Sequence, residues 1–126
     1  MSTPQYLGIH HASVLVGDTR RALAFYHELL GMPLDDTRPD LGFPGAWLGI
    51  GAQQIHLIEC PSPDPVERPP HGGRDRHTAL AVADLEAIVE RLEGAGWPYT
   101  RSRSGRAALF CRDPDGNTLE LVGEET

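Results

Sequence analysis

Four residues of the kinds that bind transition metals stand at matching places in the chain. Histidine and glutamate supply the imidazole nitrogen and carboxylate oxygen that zinc, nickel, iron, cobalt and manganese accept as ligands. His11 and His77 begin two similar segments, and His56 and Glu120 hold equivalent places in two later ones. A lone histidine in a strand is more often structural, but four such residues at repeated positions predict a metal site made of all four.

An internal repeat establishes which positions correspond. The segment HASVLVGDTRRALAFYHELLGMP, which starts at His11, is similar to HTALAVADLEAIVERLEGAGWP, which starts at His77. Farther along, the run IHLI that contains His56 aligns with the run LELV that contains Glu120. Each copy begins as a strand and continues with the apolar spacing of a helix. The chain is therefore predicted to contain one supersecondary unit twice.

The helix of each copy has recognisable ends. Asp18 and Asp84 are predicted N-caps, because an aspartate oxygen can accept hydrogen bonds from the amides of the first turn. Gly31 and Gly94 are predicted to end the two helices, since glycine adopts positive φ at little cost. The spacing in the first helix predicts a buried stripe made of Ala22, Phe25, Tyr26 and Leu29.

Further strands complete each copy as a βαβββ unit. They are predicted at 46–50, 53–59, 107–111 and 117–122, with a tight turn at Asp113-Pro114-Asp115-Gly116 before the last one. The predicted fold class is α+β, with two tandem βαβββ modules that form a curved mixed sheet around a cleft and carry their helices on the outer face. We expect a single domain with module 1 at about 7–59, a proline-rich linker at about 60–76 and module 2 at about 77–123.

Alternation along the strands predicts which side chains share a face. Ala12, Val14 and Val16 lie on one apolar face, whereas His11 points to the other face. By the same parity His56, His77 and Glu120 belong to the second face, which is small and polar. A face of this kind is suited to line a ligand cleft. A buried glutamate in an apolar strand also needs a partner such as a cation.

Composition disfavours several classes of function. The formal net charge is −7, and the 11 basic residues are all arginine, so nucleic acid is a poor partner. The cluster of Arg101, Arg103 and Arg106 is predicted to be a solvated edge. No apolar run is long enough to span a bilayer, and the first residues do not resemble a signal peptide, so a cytoplasmic protein without membrane contact is expected. Cys60 and Cys111 are predicted to be free, buried thiols.

The motifs HHASVLVGD, RHTALAVAD and FCRDPDGNTLELV resemble the vicinal oxygen chelate superfamily. That superfamily groups glyoxalase I, methylmalonyl-CoA epimerase, extradiol dioxygenases, fosfomycin-resistance transferases and bleomycin-binding proteins. The resemblance covers roughly residues 7 to 123. It implies that the metal ligands come from the first and last strands of each module, which are again His11, His56, His77 and Glu120. It also implies a homodimer.

The resemblance implies a metal-dependent lyase or isomerase of the glyoxalase I type that acts on a small oxygen-rich substrate by chelation to a divalent ion. Zinc, nickel, iron, cobalt and manganese all remain possible ions. Glu120 or His56 is predicted to serve as the acid or base. Glyoxalase I enzymes usually carry glutamate at the place of His56, and epimerases carry glutamine, so the chain departs from both. An iron(II)-dependent ring-cleaving dioxygenase and a non-catalytic antibiotic-binding protein are the alternatives.

Other polar residues receive simpler interpretations. His71 lies in the proline-rich linker and is predicted to be solvated, with approach to the cleft as the alternative. His10 is a weaker ligand candidate than its neighbour His11. Four arginines are candidates to hold an anionic substrate, but each is expected to be an ordinary surface residue: Arg38, Arg74, Arg76 and Arg101.

Overall fold

The structure, a computed structural model, describes residues 3–124 and has the same order of elements twice. The strands are β1 His11–Val16, β2 Leu34–Asp35, β3 Gly45–Ile50, β4 Gln53–Glu59, β5 His77–Val82, β6 Tyr99–Arg101, β7 Ala108–Arg112 and β8 Thr118–Gly123. Helix α1, Thr19–Leu23, continues directly into a π-helical segment, Ala24–Leu29, and helix α2 is Leu85–Gly94. Short strands β2 and β6 complete the predicted βαβββ units.

The strands form two four-stranded sheets of the same topology. Their orders are β1-β4-β3-β2 and β5-β8-β7-β6. In each sheet the first and last strands of the unit run parallel, and the other pairs are antiparallel. The predicted α+β class with tandem βαβββ units is confirmed, although the strands are divided between two sheets.

The strand register supports the sequence alignment of the two copies. His56 pairs with Ser13, two residues after His11, and Glu120 pairs with Ala79, two residues after His77. The two pairs of ligand-type residues therefore hold equivalent positions on adjacent parallel strands. The opposite face of these strands is apolar and buried, and it includes Ile55, Leu57, Leu119 and Leu121.

The first helix begins as predicted but turns differently near its end. Asp18 caps it by accepting a 2.9 Å hydrogen bond from the amide of Arg21. Near the C-terminus the amide of Leu30 bonds to the carbonyl of Phe25, five residues earlier. Because this wide turn inserts an extra residue, Leu30 is fully buried, while Leu29 packs against the core and is half-buried.

The second helix ends two residues later than predicted. Asp84 caps its start by accepting from the amide of Ala87. Gly94 still belongs to the helix, and Gly96, at φ +65°, is the residue with left-handed backbone. The amides of Gly96 and Trp97 close the end on preceding carbonyls, as in a Schellman motif, so Gly94 as the terminating residue was wrong.

The linker folds tightly onto the second sheet. The carboxylate of Asp75 forms ion pairs with Arg68 and Arg112, both at 2.7 Å. A short 3₁₀ turn, Gly72–Arg74, precedes it. Both cysteines are free as predicted, although Cys60 is half-buried and only Cys111 is fully buried. Within residues 3–124 no helix combines the length and apolarity that crossing a membrane requires.

Candidate metal centre

The first pair of ligand-type residues is a stack of aromatic rings. The imidazoles of His11 and His56 lie parallel, with their centroids 3.9 Å apart. Trp47, opposite His56 in the neighbouring strand, stacks on the other side of His56 at 4.3 Å. The ring of His56 is therefore held between two flat neighbours, and its rotation is restricted.

A hydrogen-bond chain behind His56 determines where its proton sits. The carboxylate of Asp35 can only accept, so the Gln54 side-chain nitrogen donates to it. The Gln54 oxygen then accepts from Nε2 of His56 at 2.8 Å. Burial lowers the pKa of His56, and the nearby His11 lowers it further, so the neutral ring is favoured. The lone pair of His56 is consequently on Nδ1, where it is available to a metal ion or a proton.

The second pair combines an imidazole with a carboxylate. Nδ1 of His77 lies 2.8 Å from the backbone carbonyl oxygen of Asp75, which can only accept, so Nδ1 carries a proton. Nε2 of the same ring lies 3.2 Å from Oε1 of Glu120. In the neutral ring these two facing atoms both present lone pairs. A cation, either a second proton on the ring or a metal ion, is needed to make this contact favourable.

Glu120 is buried deeply enough to need full compensation. It is 3% exposed, and its second oxygen, Oε2, accepts a 2.8 Å hydrogen bond from the guanidinium of Arg106. Arg106 is exposed, as predicted for a solvated edge, and its guanidinium reaches this carboxylate from the loop between β6 and β7. The sequence feature that could have indicated this contact is Glu120 itself, since a buried carboxylate requires a cationic partner.

The four residues stand as two pairs within one chain. Across residues 3–124 no three histidine, cysteine, aspartate or glutamate side chains converge as a metal site would require. Two cavities of about 380 Å³ each run along the boundary between the sheets, and His77 lines both. His10 touches the first pair, with its Nδ1 2.9 Å from Nδ1 of His11.

A family model described as the glyoxalase/bleomycin resistance protein/dioxygenase superfamily matches residues 8–121. The chain belongs to this superfamily. The match spans both copies of the repeat, and it confirms the resemblance in the sequence motifs.

Several members of the superfamily are similar to this chain over most of its length. The lactoylglutathione lyase of Haemophilus influenzae is 31% identical, and the match covers 90% of each chain. The glutathione transferase FosA of Serratia marcescens is 34% identical over 90% of this chain and 78% of its own. A solved glyoxalase-family protein of Bacillus anthracis superposes with a TM-score of 0.81 at 26% identity, and the superposition covers 98% of this chain and 100% of that one.

In this superfamily member the linker also contributes to the polar face. His71 is half-buried, so the prediction that it is solvated was wrong. Its ring meets the edge of Phe110 at 5.1 Å, and its Nδ1 lies 2.8 Å from the hydroxyl of Thr100. The sequence feature that could have indicated this burial is the pair of glycines directly after His71. Glycine lets the linker backbone lie close to the sheet, and a Cβ on Gly72 would be 2.5 Å from the side chain of Thr118.

Three of the arginines considered as anion ligands are engaged elsewhere. Arg38 donates to the carbonyl of Phe43, Arg76 pairs with Asp64, and Arg101 pairs with Glu86. Arg74 is exposed. Arg106, by contrast, donates a hydrogen bond to the ligand-type residue Glu120.

Proposed function

We propose that this protein is a metal-dependent lyase or isomerase of the glyoxalase I type, acting on a small substrate that offers two neighbouring oxygen atoms. One observation carries the proposal: the four ligand-type residues form two contacting pairs, His11 with His56 and His77 with Glu120, at equivalent positions of the repeat. The similarity to lactoylglutathione lyases supports the choice of reaction class.

The donor set fits a divalent transition metal. Three imidazoles and one carboxylate are ligands that zinc, nickel, iron, cobalt and manganese share. Two of the imidazoles already have their other ring nitrogen engaged, His56 with Gln54 and His77 with the carbonyl of Asp75. Such secondary hydrogen bonds orient metal-binding histidines in proteins.

The complete site in this proposal is shared between two protomers of a homodimer. The first pair of one chain would meet the second pair of its partner, which would supply the ligands that one chain keeps apart. Strands β1 and β5, which carry His11 and His77, are both edge strands and line the cavities between the two sheets. Tyr6 and Leu7 just before β1 are 91% and 89% exposed, which favours burial in an assembly.

The side chains have distinct tasks in this reaction. When bound, the ion supplies a Lewis acid that stabilises negative charge developing on two adjacent substrate oxygens. His56 is either the fourth ligand or the base, since its Nε2 proton is held by Gln54 and Nδ1 has the one lone pair that can bind the ion or accept a proton. Glu120 is the other candidate base, and it can take a proton at Oε2 once Arg106 no longer occupies that atom. Trp47 keeps the ring of His56 flat against its neighbour.

Elemental analysis of protein purified without chelators tests the site. The wild type is expected to retain a stoichiometric transition metal, and a His77→Ala, Glu120→Ala double variant is expected to retain none. The matched control is His27→Ala, Glu28→Ala, which removes the same residue types from the π-helical segment, and it should keep the metal. Equal metal content in the wild type and the His77, Glu120 variant would remove the site.

Reaction assays separate the proposed activity from its alternatives. Isomerisation of the thiohemiacetal of methylglyoxal and glutathione supports the glyoxalase I type. Oxygen uptake with catechols by the iron(II)-loaded protein would instead support the dioxygenase. Metal-free protein that binds an antibiotic and releases it unchanged would support the non-catalytic role.

A further inference from the structure

Three polar side chains of the first module form a hydrogen-bonded relay across its sheet. The carboxylate of Asp35 in β2 accepts from Gln54 in β4, and the Gln54 oxygen accepts from Nε2 of His56 at 2.8 Å. We propose that Asp35 selects which nitrogen of His56 reacts, because it fixes the direction of the Gln54 amide between them. This inference rests on the proposed function, in which His56 is the fourth ligand or the base, and it adds Asp35 and Gln54 as positioning residues.

The first step concerns the register of the strands. Asp35 pairs with Trp47, and Trp47 pairs with His56, so these three residues stand side by side across β2, β3 and β4. Gln54 pairs with Gly49 in the middle strand. Because glycine has no side chain, this face of the sheet is open there, and the Gln54 amide can pass over β3 to reach Asp35.

The second step concerns the fixed end of the relay. The hydroxyl and the backbone amide of Thr37 donate to Oδ1 of Asp35 at 2.6 and 2.9 Å, and they lower the pKa of this carboxyl group. Asp35 is therefore ionised at neutral pH and can only accept hydrogen bonds. Its Oδ2 is left for Gln54, which must turn its NH2 group towards Asp35 and its oxygen towards His56.

The third step concerns the amide of Gln54. One end of an amide donates and the other accepts, so a reversed amide would offer a donor to Nε2 of His56. The ring would then carry its proton on Nδ1, and its lone pair would face Gln54. Stacking between His11 and Trp47 restricts rotation of the ring, so the direction of the amide decides the tautomer. Asp35 holds that direction although it does not touch His56.

The test is ¹⁵N NMR of the metal-free protein at pH 8, which distinguishes protonated from unprotonated ring nitrogens in the neutral imidazole. A His56→Ala variant identifies the signals of His56. In the wild type the proton is expected on Nε2. Asp35→Asn should lower the ratio of this tautomer to the other about tenfold, the order that one hydrogen bond gives. The reason is that an asparagine side chain donates as well as accepts, so the Gln54 amide can reverse.

An exchange of the charge along the relay is the rescue experiment. In the double variant Asp35→Asn, Gln54→Glu the carboxylate is at position 54, where it accepts from Nε2 of His56 and from the amide introduced at position 35. This variant should recover the wild-type tautomer. Asp36→Asn is the matched control, because Asp36 is the exposed neighbour outside the relay, and it should keep that tautomer. A wild-type ratio in Asp35→Asn, or no recovery in the double variant, would overturn the inference.

Measurements on the zinc-loaded protein connect the tautomer to the reaction. Gln54→Leu is expected to cost about tenfold, in zinc affinity if His56 is the fourth ligand, or in kcat at full zinc occupancy with unchanged KM if it is the base. Gln53→Leu is the control, because Gln53 lies on the opposite face of the same strand, and it should change none of these quantities.

The outcomes separate the relay from the proposed function. No change of zinc affinity or kcat in Gln54→Leu would overturn the positioning role of the relay. If the tautomers respond as expected but the wild type neither binds zinc nor isomerises the thiohemiacetal, the proposed function fails, while the control of the His56 tautomer by Asp35 stands.

Discussion

The hydroxyl of Tyr26 donates a 2.7 Å hydrogen bond to Oδ2 of Asp113, and both side chains are buried. Tyr26 lies in the π-helical segment of the first copy, and Asp113 lies in the turn between β7 and β8 of the second. Oδ1 of Asp113 also accepts the amides of Asp115 and Asn117. The side chain of Asn117 reaches the carbonyl of Leu15 at 2.8 Å. One turn therefore fastens the two halves of the chain together.

Replacement of Tyr26 by phenylalanine is expected to lower the free energy of unfolding by about 2 kcal/mol, because a buried carboxylate loses a hydrogen bond. Urea denaturation measures the effect. Tyr99→Phe is the control, since the Tyr99 hydroxyl makes an equally short bond to Glu93 at an exposed position and should change stability by about 0.5 kcal/mol or less. Equal losses in the two variants would contradict a special role for the buried bond.

Mixing two inactive variants tests whether the metal site is shared between protomers. One variant carries His11→Ala and His56→Ala, and the other carries His77→Ala and Glu120→Ala. Each should lack metal and activity alone. If the pairs meet across a dimer, a mixed dimer contains one intact site, so refolding an equal mixture should restore about a quarter of the wild-type metal content and activity.

Two observations control that complementation experiment. Wild-type protein that is mixed and refolded in the same way measures how much metal and activity the refolding itself loses. Analytical ultracentrifugation measures the fraction of protein that is dimeric. No recovery from a mixture that does form dimers would show that each site lies within a single chain.

The two cysteines are expected to react at very different rates. Burial, together with the negative charge of Asp113, raises the pKa of Cys111 to about 12. The thiolate is the reactive form, so at pH 8 a disulfide reagent should modify one thiol per folded chain, that of the half-buried Cys60. The second thiol should appear only after denaturation.

The raised pKa of Cys111 also has a consequence for stability. An unfolded chain releases this proton near the ordinary pKa of 9.0, whereas the folded chain keeps it to about 12. Stability should therefore fall as the pH rises above about 9, and a Cys111→Ala variant should lack that part of the decline.

Cys60→Ser is the control for the thiol-labelling experiment. Fast labelling of this variant in its folded state would show that Cys111 is accessible.

Local patterns in the amino-acid sequence sufficed for the repeat, the helix starts and the faces of the strands. Asp18 and Asp84 cap their helices because capping depends on a few adjacent residues, and the alternation around His11 follows from the geometry of any strand. The addition of Leu30 to the core beside Leu29 was not predictable in this way. It depends on a wide helical turn, which packing between the two halves of the chain can stabilise against local preference.

The sequence by itself determined which residues share a strand face, since parity and repetition placed His56 and Glu120 on the same side as the histidines of the first strands. Only the tertiary structure decided that the residues stand as two pairs and that Arg106 covers Glu120. The distance between the pairs depends on how two sheets pack, and the position of Arg106 depends on the path of a loop. Both result from many contacts between residues distant in the chain, which no local pattern specifies.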